Sequence, residues 1–248
     1  MRTDTTGELG NILGVWAHPD DEAYLSAGLM ARAVDAGRRV FCLTATRGEA
    51  GFPADDVRPL DERKALRQNE LTACLDILGV TEHRNLGLPD GGCADIPDDD
   101  PVAVIAALIE QLKPDTVLTF GPDGGTGHPD HISACRWATL AYDRVAPGDC
   151  RLLYSTKTTA WEDRFLGGVD RSQIMMVEGL EAERVEPDEL SMWLTCDETL
   201  LDRKVAALLA QASQVDALVG MVGPEVYREL VREEFFRDRR DSDPPAPR

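Results

Sequence analysis

The opening strand–helix–strand pattern constrains this chain more than any other feature. Gly10 to Trp16 is a short, continuous apolar run, as a buried parallel strand requires. Tyr24 to Ala36 shows helical spacing, with Leu25, Leu29, Ala33 and Val34 able to share a face and Gly37 as the stop. Arg39 to Thr44 is apolar again at Val40, Phe41, Cys42 and Leu43. A strand that returns through a helix to a second strand makes a right-handed crossover and a parallel pair. The alternation then continues. A helix is expected over Asp61 to Leu78 and a strand over His83 to Leu86. The next helix is opened by Asp98, Asp99, Asp100 and Pro101 and ends at Lys113. Thr116 to Phe120 is a strand, His131 to Val145 a helix and Arg151 to Ser155 a strand. The expected fold class is α/β, a mostly parallel sheet flanked by helices. After Ser155 the pattern weakens. Ile174 to Val177 and Ser191 to Thr195 read as short extra antiparallel strands toward the C-terminus, and Thr199 to Gln211 and Val226 to Phe236 as helices. One domain is expected over residues 1–238, with a charged, proline-rich, disordered tail over 239–248.

In open α/β sheets, ligands bind outside the carboxyl ends of the strands. Two loops there stand out. The first strand runs into Ala17-His18-Pro19-Asp20-Asp21-Glu22. The fourth runs through the glycine-rich turn Gly121–Gly127 into His128-Pro129-Asp130-His131. Either run alone also suits an acidic helix N-terminus, which the helix dipole favours. Together they hold three of the four histidines, in the same His-Pro-Asp order, and they read as two halves of one metal site. The fourth histidine, His83, starts its strand at the far side of the sheet and reads as structural. Thr46–Pro53 and Gly87–Gly92 are loops on the same side as the two runs, with Arg47 and Glu49 read as a surface pair. The Gly121 loop lacks the Gly-Lys-Ser/Thr ending of a phosphate loop.

Charge narrows the partners. The formal net charge is −19, from 45 acidic and 26 basic residues. Such a surface repels phosphate backbones and anionic headgroups, so neither nucleic acid nor membrane is an expected partner. No apolar run approaches the ~20 residues that span a bilayer. Met1 to Gly10 has no signal-peptide core. The six cysteines include no C-x-x-C pair and read as reduced structural thiols of a cytoplasmic protein.

A catalytic zinc takes three protein ligands and keeps one position for water. His18, Asp21 and His131 can supply them if the two loops meet. Adjacent side chains point apart, so only one of Asp20 and Asp21 shares a metal easily with His18. The other is left beside a water whose pKa a metal lowers to roughly 7. That carboxylate can act as general base. His128, if not a ligand, can stabilise an oxyanion or protonate a leaving amine, and Asp130 can orient an imidazole. The set suits metal-assisted hydrolysis of an amide or ester. Two histidines and one carboxylate also suit non-haem Fe2+. Hydrolysis is preferred because Asp20 and His128 form an acid–base pair that oxygenation does not need.

At these residues the chain resembles the LmbE-like, or PIG-L, de-N-acetylases, whose hallmarks stand unbroken at Ala17–Glu22 and His128–His131. The resemblance extends to Thr46–Gly51, Arg67–Leu71, Leu86–Gly91 and Lys204–Gln214. It implies a Rossmann-like fold and a zinc-dependent hydrolase that deacetylates a small N-acetylglucosamine derivative. By the same resemblance His18, Asp21 and His131 are the metal ligands, Asp20 the general base, His128 the oxyanion-stabilising acid and Asp130 its orienting partner. Arg67 and Asp90 match sugar-binding positions. Two positions depart from the pattern. Gln211 stands where the family often has histidine, and Thr126 where mycothiol-type deacetylases have tyrosine.

Deacetylation of an N-acetylated sugar is thus the leading expectation, in a protein for which homo-oligomers are allowed. An amidase of thiol S-conjugates or a natural-product deacylase would use the same site. A non-catalytic metal- or sugar-binding module is disfavoured because binding alone does not require Asp20 and His128.

Overall fold

A computed structural model describes residues 9–168, 175–177 and 182–243. Its centre is β1 (Ile12–Trp16), every residue of which is buried. On one side lie β2 (Val40–Thr46) and then β3 (Glu82–Leu88); on the other lie β4 (Thr116–Phe120) and then β5 (Arg151–Ser155). All five are parallel. The chain therefore builds outward through β2 and β3, then crosses back to place β4 against the other edge of β1. That reversal between β1 and β4 is where an open α/β sheet leaves its crevice. The crossovers are α1 (Asp21–Asp35), α2 (Leu60–Leu78) and α3 (Asp99–Leu112), and α4 (Pro129–Val145) joins β4 to β5. The expected Rossmann-like α/β fold is present.

Apolar contacts fix the central pair of strands. Trp16 at the end of β1 meets the Phe120 ring at the end of β4 edge-on, centroids 5.3 Å apart. Such a pair contributes about 0.5–1.5 kcal/mol beyond its burial. The loops that leave these two residues are thus anchored side by side. On β3, His83 hydrogen-bonds Thr44 of β2 (3.2 Å), and burial pushes its pKa down to about 4.

The C-terminal region departs from expectation. Val226 to Phe236 is not one helix. After α5 (Thr159–Leu166), α6 (Glu198–Leu209) and α7 (Ala212–Val222) comes a short α8 (Pro224–Leu230). The chain then extends into β9 (Glu233–Asp238). This strand inserts antiparallel between β5 and the edge strand β8 (Met192–Thr195). Val226, Tyr227, Leu230 and Val231 do have helical spacing, but the sheet needs the segment after Arg232 extended. Its buried residues run consecutively from Glu234 to Arg237, so no alternation marks a strand. The antiparallel strand expected over Ser191–Thr195 is β8. Of that expected over Ile174–Val177, Ile174 lies outside the described residues. Met175–Val177 form no strand, and the Met176 N–H donates to Thr126 O (2.8 Å). A two-residue parallel pair, β6 (Lys157–Thr158) and β7 (Arg184–Val185), stands apart from the main sheet.

A buried ion pair joins α6 to β9, and hydrogen bonds from it hold α1. Lys204 Nζ and Glu234 Oε1 are 2.7 Å apart and both side chains are fully buried. Lys204 also donates to Tyr24 O, while Glu234 accepts from the N–H groups of Gly28 and Leu29. The first turns of α1, which carry Asp21 and Tyr24, are held from behind in this way. Beyond β9, Asp243 pairs with Arg237 (2.8 Å) and Arg240 with Glu183 (2.7 Å); residues 244–248 lie outside the described residues.

Candidate metal centre

The two His-Pro-Asp runs leave β1 and β4 and meet, although His18 and His131 are 113 positions apart. His18 Nδ1 lies 3.1 Å from His131 Nε2. The Asp21 carboxylate lies beside both, Oδ2 3.6 Å from His18 Nδ1 and Oδ1 3.4 Å from His131 Nε2. Two imidazole nitrogens and a carboxylate at these separations are a donor set that suits a metal such as zinc.

The protonation pattern points the same way. His131 Nδ1 faces the Gly124 carbonyl at 3.0 Å, which places the ring hydrogen there and leaves Nε2 with a bare lone pair. His18 Nε2 faces Asp90 (3.1 Å) and Asp130 (3.2 Å), which leaves Nδ1 bare. With His18 neutral, two lone pairs and a carboxylate converge there, and a bound cation takes the place that a proton on His18 Nδ1 otherwise fills. Burial pushes His18 toward neutrality, but Asp130, Asp21 and Asp90 outweigh it and make this imidazole strongly basic. Burial raises Asp21, but His131 and His18 overcome that and hold it at about 2, ionised. His128 is also close: one ligand atom each of His18, His128 and His131 lies within 4.8 Å of the others.

Local sequence explains the placement. Pro129 opens α4 and His128 is its N-cap. The Asp130 N–H donates to His128 Nδ1 (3.1 Å), so His128 carries its hydrogen on Nε2. Burial, with His18 and His131 nearby, lowers this imidazole to about 4. His131 is stacked between Phe120 (4.1 Å) and His128 (4.8 Å). Gly124 has φ +67°, which a side chain would strain, and a Cβ there would crowd His131 Cβ at 3.1 Å.

Asp20 has φ +105°, a left-handed conformation unusual for a non-glycine residue. Its N–H donates to Glu22 (3.0 Å) and its carboxylate lies 3.3 Å from Arg67. Burial pushes Asp20 up to about 7, against the pull of Arg67. Glu22 is fully buried and is raised further by burial, to about 8.

Three expected positions differ from their expected settings. The Asp130 carboxylate does not reach toward His128. It accepts from Gly91 N–H (2.7 Å) and Cys93 N–H (3.0 Å) and faces His18, while only its main chain meets His128. Arg67 is 2% exposed, with its guanidinium on Pro19 O, Gly48 O and Asp20. Asp90 accepts from Ala50 N–H (2.6 Å) and faces His18. Arg67 and Asp90 thus tie the Thr46–Gly51 loop to the histidine run. Glu49 is buried and pairs with Lys64 (3.7 Å) rather than Arg47.

Sequence reasoning passed over the layer behind Asp20. Glu22 accepts from Gln211 Nε2 (2.8 Å), and Gln214 donates to Gly51 O (2.9 Å). The clue was the acidic residue closing the first run, which has more carboxylates than one cation needs.

Comparisons with known proteins bear on the family and the fold. The PIG-L family model, described as GlcNAc-PI de-N-acetylase, matches residues 13–142. A 1D-myo-inositol 2-acetamido-2-deoxy-alpha-D-glucopyranoside deacetylase of Acidothermus cellulolyticus is 32% identical over 235 residues, covering 83% of this chain and 80% of its own. Among solved structures, the conserved protein TT1542 from Thermus thermophilus superposes with TM-score 0.58 at 25% identity, over 92% of this chain and 94% of its own. The N,N'-diacetylchitobiose deacetylase from Pyrococcus horikoshii shares the fold at TM-score 0.61 and 20% identity, over 92% of this chain and 83% of its own.

Proposed function

Because the chain belongs to the PIG-L family of GlcNAc-PI de-N-acetylases, we propose that it hydrolyses the N-acetyl amide of a small N-acetylglucosamine-type substrate and uses zinc to do so. One observation carries the chemistry: the bare nitrogens of His18 and His131 and the carboxylate of Asp21 converge within 3.1–3.6 Å, with Asp20 next in the chain. His18, Asp21 and His131 would hold a divalent cation, which when bound would supply an acidified water and a polarised amide carbonyl.

The remaining roles fall to the protein. Asp20, poised near neutrality by burial, takes a proton from the attacking water and hands it to the departing nitrogen. His128 is neutral, so its Nε2–H serves as a hydrogen-bond donor to the oxygen that gains charge. Asp130 fixes the tautomer of His18 rather than that of His128. Arg67 and Asp90 position the loops around Asp20 and His18, at the edge of the site where the resemblance puts sugar contacts. The six free, buried cysteines suit the reducing cytoplasm.

The test is primary-amine release from a panel of N-acetylglucosamine compounds by zinc-loaded, chelated and zinc-restored protein. Release that disappears with chelator and returns with zinc is expected. No release at one zinc per chain sinks the reading.

A further inference from the structure

A cavity of about 230 Å³ opens beside the candidate centre, with Asp21 and His131 in its wall. Water's share of liquid volume is roughly 30 Å³, and a methyl group is of that order. The acyl methyl of an acetamide therefore leaves most of this cavity unfilled. Tyr24, Leu25, Phe120 and Leu166 make its sides apolar.

One cation stands in that wall. Lys157, at the start of β6, lies just beyond the carboxyl end of β5, and its Nζ sits 4.2 Å over the Trp161 ring. Among the described residues no carboxylate pairs with it, whereas the acidic groups of the same wall are engaged elsewhere. Asp123 accepts from the N–H groups of Gly125 and Glu183. Glu183 pairs with Arg237 and Arg240, and Glu162 lies 3.7 Å from Arg184. Burial lowers Lys157 to about 8, which still leaves it mostly charged at neutral pH. Glu162 and Asp123 draw on this ammonium through space but neither makes contact with it among the described residues, so its burial stays costly until an anion joins it directly.

We propose that this cavity is a subsite for an apolar segment of the substrate that ends in an anionic group, with Lys157 as the partner of that anion. The proposal rests on the hydrolase reading for the amide to which the segment is attached. The same chemistry reaches the cavity from either side of the scissile bond, as the acyl group or as the glycosidic substituent.

Two matched sets of glucosamine derivatives test it. In one the amide carries acetyl, butanoyl or succinyl. In the other the amide is always acetyl and the glycoside is methyl, butyl or 3-carboxypropyl. Binding to the zinc-loaded protein is measured by calorimetry, with amine release in parallel. In one set the alkyl member should bind more tightly than the shortest. The carboxylate-ended member should bind about ten-fold more tightly again, as a charge-assisted contact allows. The set that shows this identifies the side of the bond. Lys157→Met should reverse the order of carboxylate and alkyl members while alkyl still exceeds shortest, and Lys157→Arg should keep the wild-type order. Equal binding of all members in both sets, or an order that Lys157→Met leaves intact, overturns the proposal. The ordered binding without amine release from any compound would instead sink the hydrolase reading and leave the subsite.

Discussion

Single side chains at the centre are legible in sequence as types and opaque as partners. His18, Asp21 and His131 could be nominated because the two runs share an order and a place after strands. That Asp130 would hold His18, and that Arg67 would turn inward on Pro19, could not be read, since both depend on contacts between distant loops. Asp20 tests the proposed chemistry most directly. Asp20→Asn should keep its zinc and lose about 10²–10⁴-fold in kcat, the range of general acid–base catalysis. His18→Ala should lose zinc and turnover together. Metal analysis beside steady-state kinetics separates the two outcomes, and near-full turnover in Asp20→Asn would remove it as the base. Gly48 is a second diagnostic residue. At φ +68° it lies against Arg67, and a Cβ there would stand 2.7 Å from Arg67 Cζ. Gly48→Ala should cost about 1–3 kcal/mol in denaturant unfolding through backbone strain. It should also lower kcat, because Arg67 is what Asp20 rests on. Unchanged kcat would show that Arg67 does not set the base.

At the scale of elements, the buried ion pair between α6 and β9 has the sharpest consequence. Among the described residues, Lys204→Met leaves the buried carboxylate of Glu234 with the Gly28 and Leu29 N–H groups alone to meet it. Removing one partner of such a pair costs about 3–5 kcal/mol, to be read from the midpoint of urea unfolding. A loss below about 1 kcal/mol, the range of an exposed pair, would mean that water reaches Glu234. This pair also explains which elements sequence could reveal. Four of the five parallel strands, β1, β2, β4 and β5, were legible because each is a short, mostly apolar run ended by a turn, whereas the polar β3 was legible mainly from its place between two helices. β9 was not, since two charged residues, Glu234 and Arg237, are buried within it and satisfied by partners far along the chain. A strand covered on both faces shows no period of two, and the apolar spacing before it imitates a helix.

For the whole molecule, the centre joins the two wings of the sheet. β1 belongs to the wing built with β2 and β3, and β4 to the wing built with β5. A cation bound only by the folded protein stabilises it by about 2.7 kcal/mol at a hundred times its Kd. If the proposed zinc is bound, for a chain of this size its removal with chelator should lower Tm by about 5–10 °C. Differential scanning calorimetry with and without chelator measures this, and an unchanged Tm would mean that zinc does not bridge the wings. The 113-position gap between His18 and His131 has a consequence in time as well. A ribosome must synthesise past β4 before the second imidazole exists. The nascent chain thus carries half a chelate through much of its emergence, and metal capture becomes a timestamp for the moment when β4 docks on β1.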